Sequence, residues 1–225
     1  HPGELGGLRL WLRADVGLSF NGARVQSWED SSGYAFDLTS SGGPTLIQEG
    51  DDSLPALRFD AGDDQMTASL GDTMGAATIF ALARYNTAST SNSYLYSVGA
   101  SGAGETYALS RLGGDASYHF NGSTQYTGDP IPHGAFHTFT QVYADADLGA
   151  PYHTLYMDGV DLGVSAVSAP YNVTPSNFTL GNWYKGSNWF QGDISEVILY
   201  DRALNASEQA FIEAYLQDRL GGSEF

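Results

Sequence analysis

Hydrophobic residues in this chain fall into short runs separated by glycine, aspartate, serine and proline. Leu8–Arg13, bulky and flanked by glycines, reads as a first strand. Val25–Trp28 is a short strand that runs into the turn Asp30-Ser31-Ser32-Gly33. Pro55–Asp60 gives a further strand, and a turn over Ala61–Asp64 leads to another extended segment, Gln65–Leu70. Ala77–Tyr85 is apolar at nearly every position, the pattern of a central strand buried on both faces. The polar tract Asn86–Ser93 is a loop. Strand candidates follow at Tyr94–Val98, Thr106–Arg111, Ser117–Phe120, Phe136–Tyr143 and Tyr152–Met157. Asp158-Gly159 tolerates positive φ at both positions, so Met157–Val160 predicts a tight hairpin. β-Branched and aromatic residues from Asp193 to Tyr200, behind Gly192, predict the last strand.

The pattern then changes. Asn205 followed by Glu208 forms a capping-box signature, and Phe211, Ile212, Tyr215 and Leu216 give the following helix a greasy face, with Gly221 and Gly222 at its end. Many evenly spaced short strands argue for a β-sandwich over a βαβ fold. With no internal repeat, 225 residues fit one large all-β domain. Residues 1–4 are expected to be an N-terminal flank, 5–220 the domain, and 221–225 a flank or expression remnant. No signal peptide opens the chain, so it reads as an excised module of a longer secreted protein.

Charge narrows the partners. Nine Lys+Arg against 26 Asp+Glu give a net charge of −17, and Lys185 is the only lysine. Nucleic-acid binding rests on neutralising phosphates and is excluded as a class. An acidic surface of this kind is screened in brine, which points to a marine or salt-loving source, and calcium would discharge part of it. No apolar run is long enough for membrane insertion, and the absence of cysteine leaves the redox compartment unread.

The run Phe190-x-Gly192-Asp193-Ile194-x-Glu196-Val197, followed by Tyr200-Asp201-Arg202-Ala203-Leu204 and Ser207-Glu208, resembles the closing motif of bacterial laminin-G-like, concanavalin A-like domains. Leu10–Asp15 resembles the family's opening motif. Trp28 with its acidic neighbours and Ser32-Gly33, the stretch Pro55–Asp64, and the hairpin Tyr156–Gly159 match it as well. The likeness runs from Leu8 to Leu220. It implies a β-sandwich jelly roll with a short C-terminal helix on an edge or end. It also implies a role in binding glycans or other surface ligands, often with calcium.

Candidate chemistry is sparse. Asp30, Asp63, Asp64 and Asp193 are the candidate calcium ligands, although aspartates in such turns more commonly bond the turn's own amides. Glycan hydrolases of this architecture place paired carboxylates on one strand face. Here Asp193 and Glu196 are three apart, and strand parity sends them to opposite faces unless a bulge intervenes. Gly-x-Ser-x-Gly and His-Glu-x-x-His are missing, and His133 and His137 read as loop and strand histidines. Asp145–Gly149 lacks the glycine and glutamate an EF-hand needs.

Asn182, Trp183, Tyr184, Asn188 and Trp189 are the candidate ligand platform, because aromatic faces stack on sugar rings and amides bond hydroxyls. The bland alternative is a Trp189 that plugs the core beside Phe190. Tyr118, His119 and Tyr126 are candidates for a second polar-aromatic surface, although strand alternation alone explains them. The leading expectation is a non-catalytic module, binding carbohydrate or a cell-surface ligand, within a larger secreted or surface protein such as an adhesin. A jelly-roll polysaccharide lyase or glycoside hydrolase, and a structural spacer, are the alternatives.

Overall fold

The computed structural model describes residues 1–48, 54–60, 62–71, 74–86, 92–99, 106–120, 123–144, 152–166, 177–183 and 188–221. In chain order the strands are β1 (Leu8–Arg13), β2 (Leu18–Asn21), β3 (Arg24–Trp28), β4 (Leu38–Ser41), β5 (Thr45–Ile47), β6 (Ala56–Phe59), β7 (Gln65–Ser69), β8 (Ala77–Tyr85) and β9 (Ser93–Gly99). They continue as β10 (Thr106–Leu112), β11 (Asp115–Phe120), β12 (Ser123–Pro130), β13 (His137–Ala144), β14 (Tyr152–Met157), β15 (Val160–Ala166), β16 (Asn177–Leu180) and β17 (Gly192–Tyr200). Helix α1 spans Ala206–Leu220.

All ladders between these strands are antiparallel. The front layer runs β1-β17-β8-β13-β14-β15. The back layer runs β4-β7-β16-β9-β10-β11-β12, with β3 and β2 added beyond β4. Strands β5 and β6 bridge β3 to β17, so the two layers join into one nearly closed sheet. The result is the jelly-roll sandwich expected from the sequence.

Alternation along the strands decides what each face meets. Ile79, Ala81, Ala83 and Tyr85 of β8 join Val197 and Leu199 of β17 in the core between the layers, with Trp28, Phe59, Phe139, Phe178 and Phe190. Phe80, Leu82, Ile198 and Tyr200 point the other way and meet Trp11, Ile212 and Leu216. Strand β8 is therefore apolar on both faces because each face has a cover, the opposite sheet on one side and α1 on the other.

The helix accordingly lies across the outer face of the front sheet, where the sequence reading put it on an edge or end. Its capping box at Asn205 and Glu208 forms as expected. Phe211, counted in the greasy face, is 40% exposed, and Ile212 and Leu216 do the docking. The presumed N-terminal flank also docks: Pro2 is buried, Tyr200 donates its hydroxyl to the Pro2 carbonyl (2.9 Å), and His1 meets the Trp11 ring edge-on. The hairpin at Asp158-Gly159 has φ of 51° and 74°, as the sequence requires.

Six strands escaped the sequence reading: β2, β4, β5, β12, β15 and β16. Those with described side chains are mostly short and carry exposed polar positions, so their apolar signal is thin.

The arginines are drawn inward against this acidic chain. Arg13 and Arg219 both reach Asp15, and Arg219 also lies 3.1 Å from Glu196. Arg24 bonds Asp64 and the Gly43 carbonyl. Arg58 and Arg84 hold Asp193. Arg202 forms a fork with Glu208, and Arg111 donates to the Gly114 carbonyl. Arg9 donates to the Leu70 carbonyl and lies over the Tyr34 and Phe36 rings.

Candidate functional site

With α1 on the front sheet, the part of the back sheet's outer face that is open among the described residues lies over β4, β7 and the start of β16, while Ser97, Ala108, Ser110 and Ser117 on the same face are buried. Its side chains follow from register. Thr39 of β4 pairs Thr67 of β7, Thr67 pairs Thr179 of β16, and Thr179 pairs Ser97 of β9. Directly opposed residues share a face, so four hydroxyls line up across four strands at about 4.8 Å per step. Their chain neighbours Leu38, Met66, Phe178, Leu180 and Val98 point into the core and fix this orientation. Asp37, Thr39, Thr67, Ala68, Ser69, Gly99, Asn177 and Thr179 enclose a trough of ≈ 570 Å³.

This row continues to Ala108 of β10, which pairs Ser97 and packs with Tyr94 and Trp183. The Trp183 and Tyr94 rings are 4.6 Å apart, tilted at 52°. Of the expected aromatic platform, Trp183 packs here, only 9% exposed and outside the residues that line the trough. Asn182 is 0% exposed, and its Nδ2 donates to Gln65 Oε1 at 3.2 Å. That burial corrects its expected role as a sugar-bonding amide, and its backbone carbonyl is engaged too, accepting from Ser97 Oγ. Asn188, at φ 63°, is half-buried, and its carbonyl accepts the Tyr94 amide. Trp189 is half-buried beside Gly62, while Phe190 and Trp28 fill the core in its place. Tyr184 lies outside the described residues, as do Asp145–Gly149 and the side chains of Tyr118, His119 and Tyr126.

Gly181 anchors this loop. Its amide donates to the Leu95 carbonyl, and its own carbonyl accepts the Phe190 amide. Its φ is 83°, and an added Cβ would stand 2.5 Å from Phe59 and 2.8 Å from the Asp64 carbonyl. Gly181→Ala is therefore expected to cost at least ~1–3 kcal/mol of stability from the backbone conformation alone. Urea unfolding of the variant measures this, and a loss of a few tenths would mean the loop base is not fixed as described.

The four candidate calcium ligands do not gather into a cation site. Asp30 spends its oxygens on the amides of Trp11, Ser32 and Phe36 and on the Ser32 hydroxyl. Asp64 is buried, accepting from Arg24 and the Asp60 amide. Asp193 is buried between two guanidiniums, and Asp63 is an exposed turn residue. Among the described residues no three His, Asp or Glu converge in a way that would hold a metal.

Asp193 and Glu196 also depart from the strand-parity expectation. A register shift between Ile194 and Glu196 sends both carboxylates to the helix side of the front sheet. Neither is free for acid–base work. Burial pushes the Asp193 carboxyl up, but hydrogen bonds from Arg58 and Arg84 outweigh it and hold the group below the usual aspartate range. Glu196 is raised by burial, and its Oε1 accepts from Trp11 Nε1 (2.6 Å) and the Tyr215 hydroxyl (2.8 Å). They staple β17 to its neighbours and to α1. A second hollow of ≈ 440 Å³ beside α1 is likewise crossed by pinning bonds, His137 Nδ1 to Asp158 (2.6 Å) and Thr140 to Glu213 (2.9 Å).

Sequence reasoning missed the trough because threonine and serine on alternate positions carry no motif. The signal was present in Gln65-Met66-Thr67 and Asn177-Phe178-Thr179-Leu180, where apolar and hydroxyl residues alternate.

Comparison with known proteins agrees with this architecture. The sequence model of the concanavalin A-like lectin/glucanases superfamily matches residues 60–208. No curated protein matches the sequence at a significant level. Among solved structures, the Trypanosoma rangeli sialidase in complex with sialic acid superposes with a TM-score of 0.69 at 18% identity, covering 96% of this chain and 34% of that one. The botulinum neurotoxin serotype D ligand-binding domain, in complex with N-acetylneuraminic acid, gives a TM-score of 0.68 at 11% identity, with 93% and 51% covered. The receptor-binding domain of botulinum neurotoxin type G gives 0.64 at 12% identity, with 94% and 52% covered. At these identities the likeness is one of fold, and the chain spans between a third and about half of each neighbour.

Proposed function

Because the chain belongs to the concanavalin A-like lectin/glucanase superfamily, we propose that it is a non-catalytic carbohydrate-binding module whose site is the hydroxyl-lined trough on the back sheet. The observation that carries this reading is the row Thr39–Thr67–Thr179, small side chains that both donate and accept hydrogen bonds and that line the trough, with Ser97 buried at the row's inner end. Sugar hydroxyls have the same dual character, so successive groups on a saccharide find partners strand by strand. Neighbours of this fold that carry sialic acid support the ligand class. The best-placed carboxylates are consumed by arginines, tyrosine and tryptophan, which favours binding over hydrolysis. We place the module within a larger secreted or cell-surface protein, in keeping with the fraction of its structural neighbours that it spans.

A glycan array probed with the wild-type chain and with Thr67→Val/Thr179→Val tests the assignment. Each lost neutral hydrogen bond is worth about 0.5–1.5 kcal/mol, so the double variant is expected to bind retained glycans roughly 5- to 150-fold more weakly at unchanged stability. Equal binding by the two proteins would move the site elsewhere. Retention of no glycan by the wild type would favour a structural spacer.

A further inference from the structure

We propose, on the strength of the glycan-binding reading of the trough, that this chain selects neutral glycans and rejects those bearing carboxylate or sulfate, sialic acid included. Among the described residues lining the trough the ionisable one is an acid, Asp37. Its Oδ1 accepts the Asp30 amide at 2.9 Å, which holds the charge at the site. Recognition of a sugar carboxylate draws on a cation, best of all the bidentate fork of a guanidinium. None of the arginines lines the trough, and each is already engaged within the fold by a carboxylate or a backbone carbonyl. The remaining basic side chain is Lys185, which lies outside the described residues.

The wider field points the same way. A net charge of −17 repels an approaching anion over a Debye length of about 8 Å at physiological salt. An uncharged polyol pays no such penalty, and the threonine row meets it with donors and acceptors alike. Selectivity arises from a repulsive element against anionic glycans added to an attraction common to all of them. This separates the chain from structural neighbours solved in complex with sialic acid.

The test is an array that pairs neutral oligosaccharides with sialylated, uronic and sulfated versions of the same backbones. The expected result is binding of the neutral member, with the anionic member at least about ten-fold weaker and the gap narrowing as salt is raised. Asp37→Lys is expected to raise the ratio of sialylated to neutral binding about ten-fold, the effect of reversing one charge near the ligand in a high-dielectric site. Asp37→Asn keeps an oxygen for the Asp30 amide and is expected to raise the ratio about three-fold, which guards against misfolding of the lysine variant. Lys185→Ala is expected to leave the neutral preference in place. Anionic members bound as tightly as their neutral partners, or an unmoved ratio in both Asp37 variants, would overturn the proposal. If that anionic binding were also lost in Thr67→Val/Thr179→Val, the trough would stand and only its selectivity would fall. Binding of no glycan at all would instead remove the reading beneath it.

Discussion

Asp193→Ala is expected to lower the unfolding free energy by about 3–5 kcal/mol, the usual loss when one partner of a buried ion pair is removed. Asp193 is 0% exposed and receives Arg58 Nε at 2.9 Å, Arg58 Nη2 at 3.1 Å and Arg84 Nε at 2.5 Å. Its removal leaves two guanidiniums facing each other at the start of β17, and Arg84 is further confined over the Phe136 ring. The loss should appear as a lower urea midpoint with an unchanged m-value. A loss below about 1 kcal/mol would mean the arginines swing into water, and Asp193 would then be free for the ligand role the sequence suggests.

The second large effect concerns acid. His153 of β14 is 1% exposed beside Tyr143, and burial pushes its pKa down from 6.5 to about 3. The folded state therefore holds this imidazole neutral while the unfolded chain protonates it. The stabilisation is present in full above about pH 6.5 and is lost progressively as pH falls toward 3, since the unfolded state binds one more proton across that window. Over that span the loss amounts to several kcal/mol, roughly 3–6. Asp193 and other depressed carboxylates lose their contribution only below about pH 4, while Glu196 and Glu213, raised by burial, add stability as pH falls, so the difference between wild type and a histidine variant between about pH 6.5 and 4 isolates the histidine. His153→Phe and His153→Gln remove the titrating group, and in whichever variant folds, stability should fall less with acid by about 1.4 kcal/mol per pH unit in that range. An acid limb identical to the wild type's would show that His153 protonates without penalty.

The fold was legible where burial is two-sided or a turn demands special geometry. Ala77–Tyr85 read correctly as a central strand because both faces are covered, and Asp158-Gly159 read correctly as a hairpin because its backbone needs positive φ. Asn205 and Glu208 announced the helix start for a similarly local reason. Where the helix lands was illegible, since that depends on the outer faces of β1, β8 and β17 gathering from distant parts of the chain. The bulge that turns Asp193 and Glu196 to one face is also set by pairing with β8, and strand parity alone cannot reveal it.

The candidate site was legible in part. Trp183 lies outside the trough's lining, because the same hydrophobicity that marks it as a platform buries most of it against Tyr94 and Ala108. Asn182 followed it inward to bond Gln65. The trough itself is a product of register: Thr39, Thr67, Ser97 and Thr179 lie far apart in sequence and become one row only when four strands pair. Aspartates drew attention as metal ligands because the chain is acidic, yet the scarce arginines had already claimed Asp64 and Asp193.

Glycan is proposed to lie along this row of hydroxyls. Amide chemical-shift mapping by NMR, with the neutral oligosaccharide best retained on the array as titrant, tests it most directly. Shifts are expected to concentrate at Thr39, Thr67, Asn177 and Thr179, with the front sheet and α1 unmoved. Shifts centred on the front-sheet hollow beside α1, or none at saturating sugar, would contradict it.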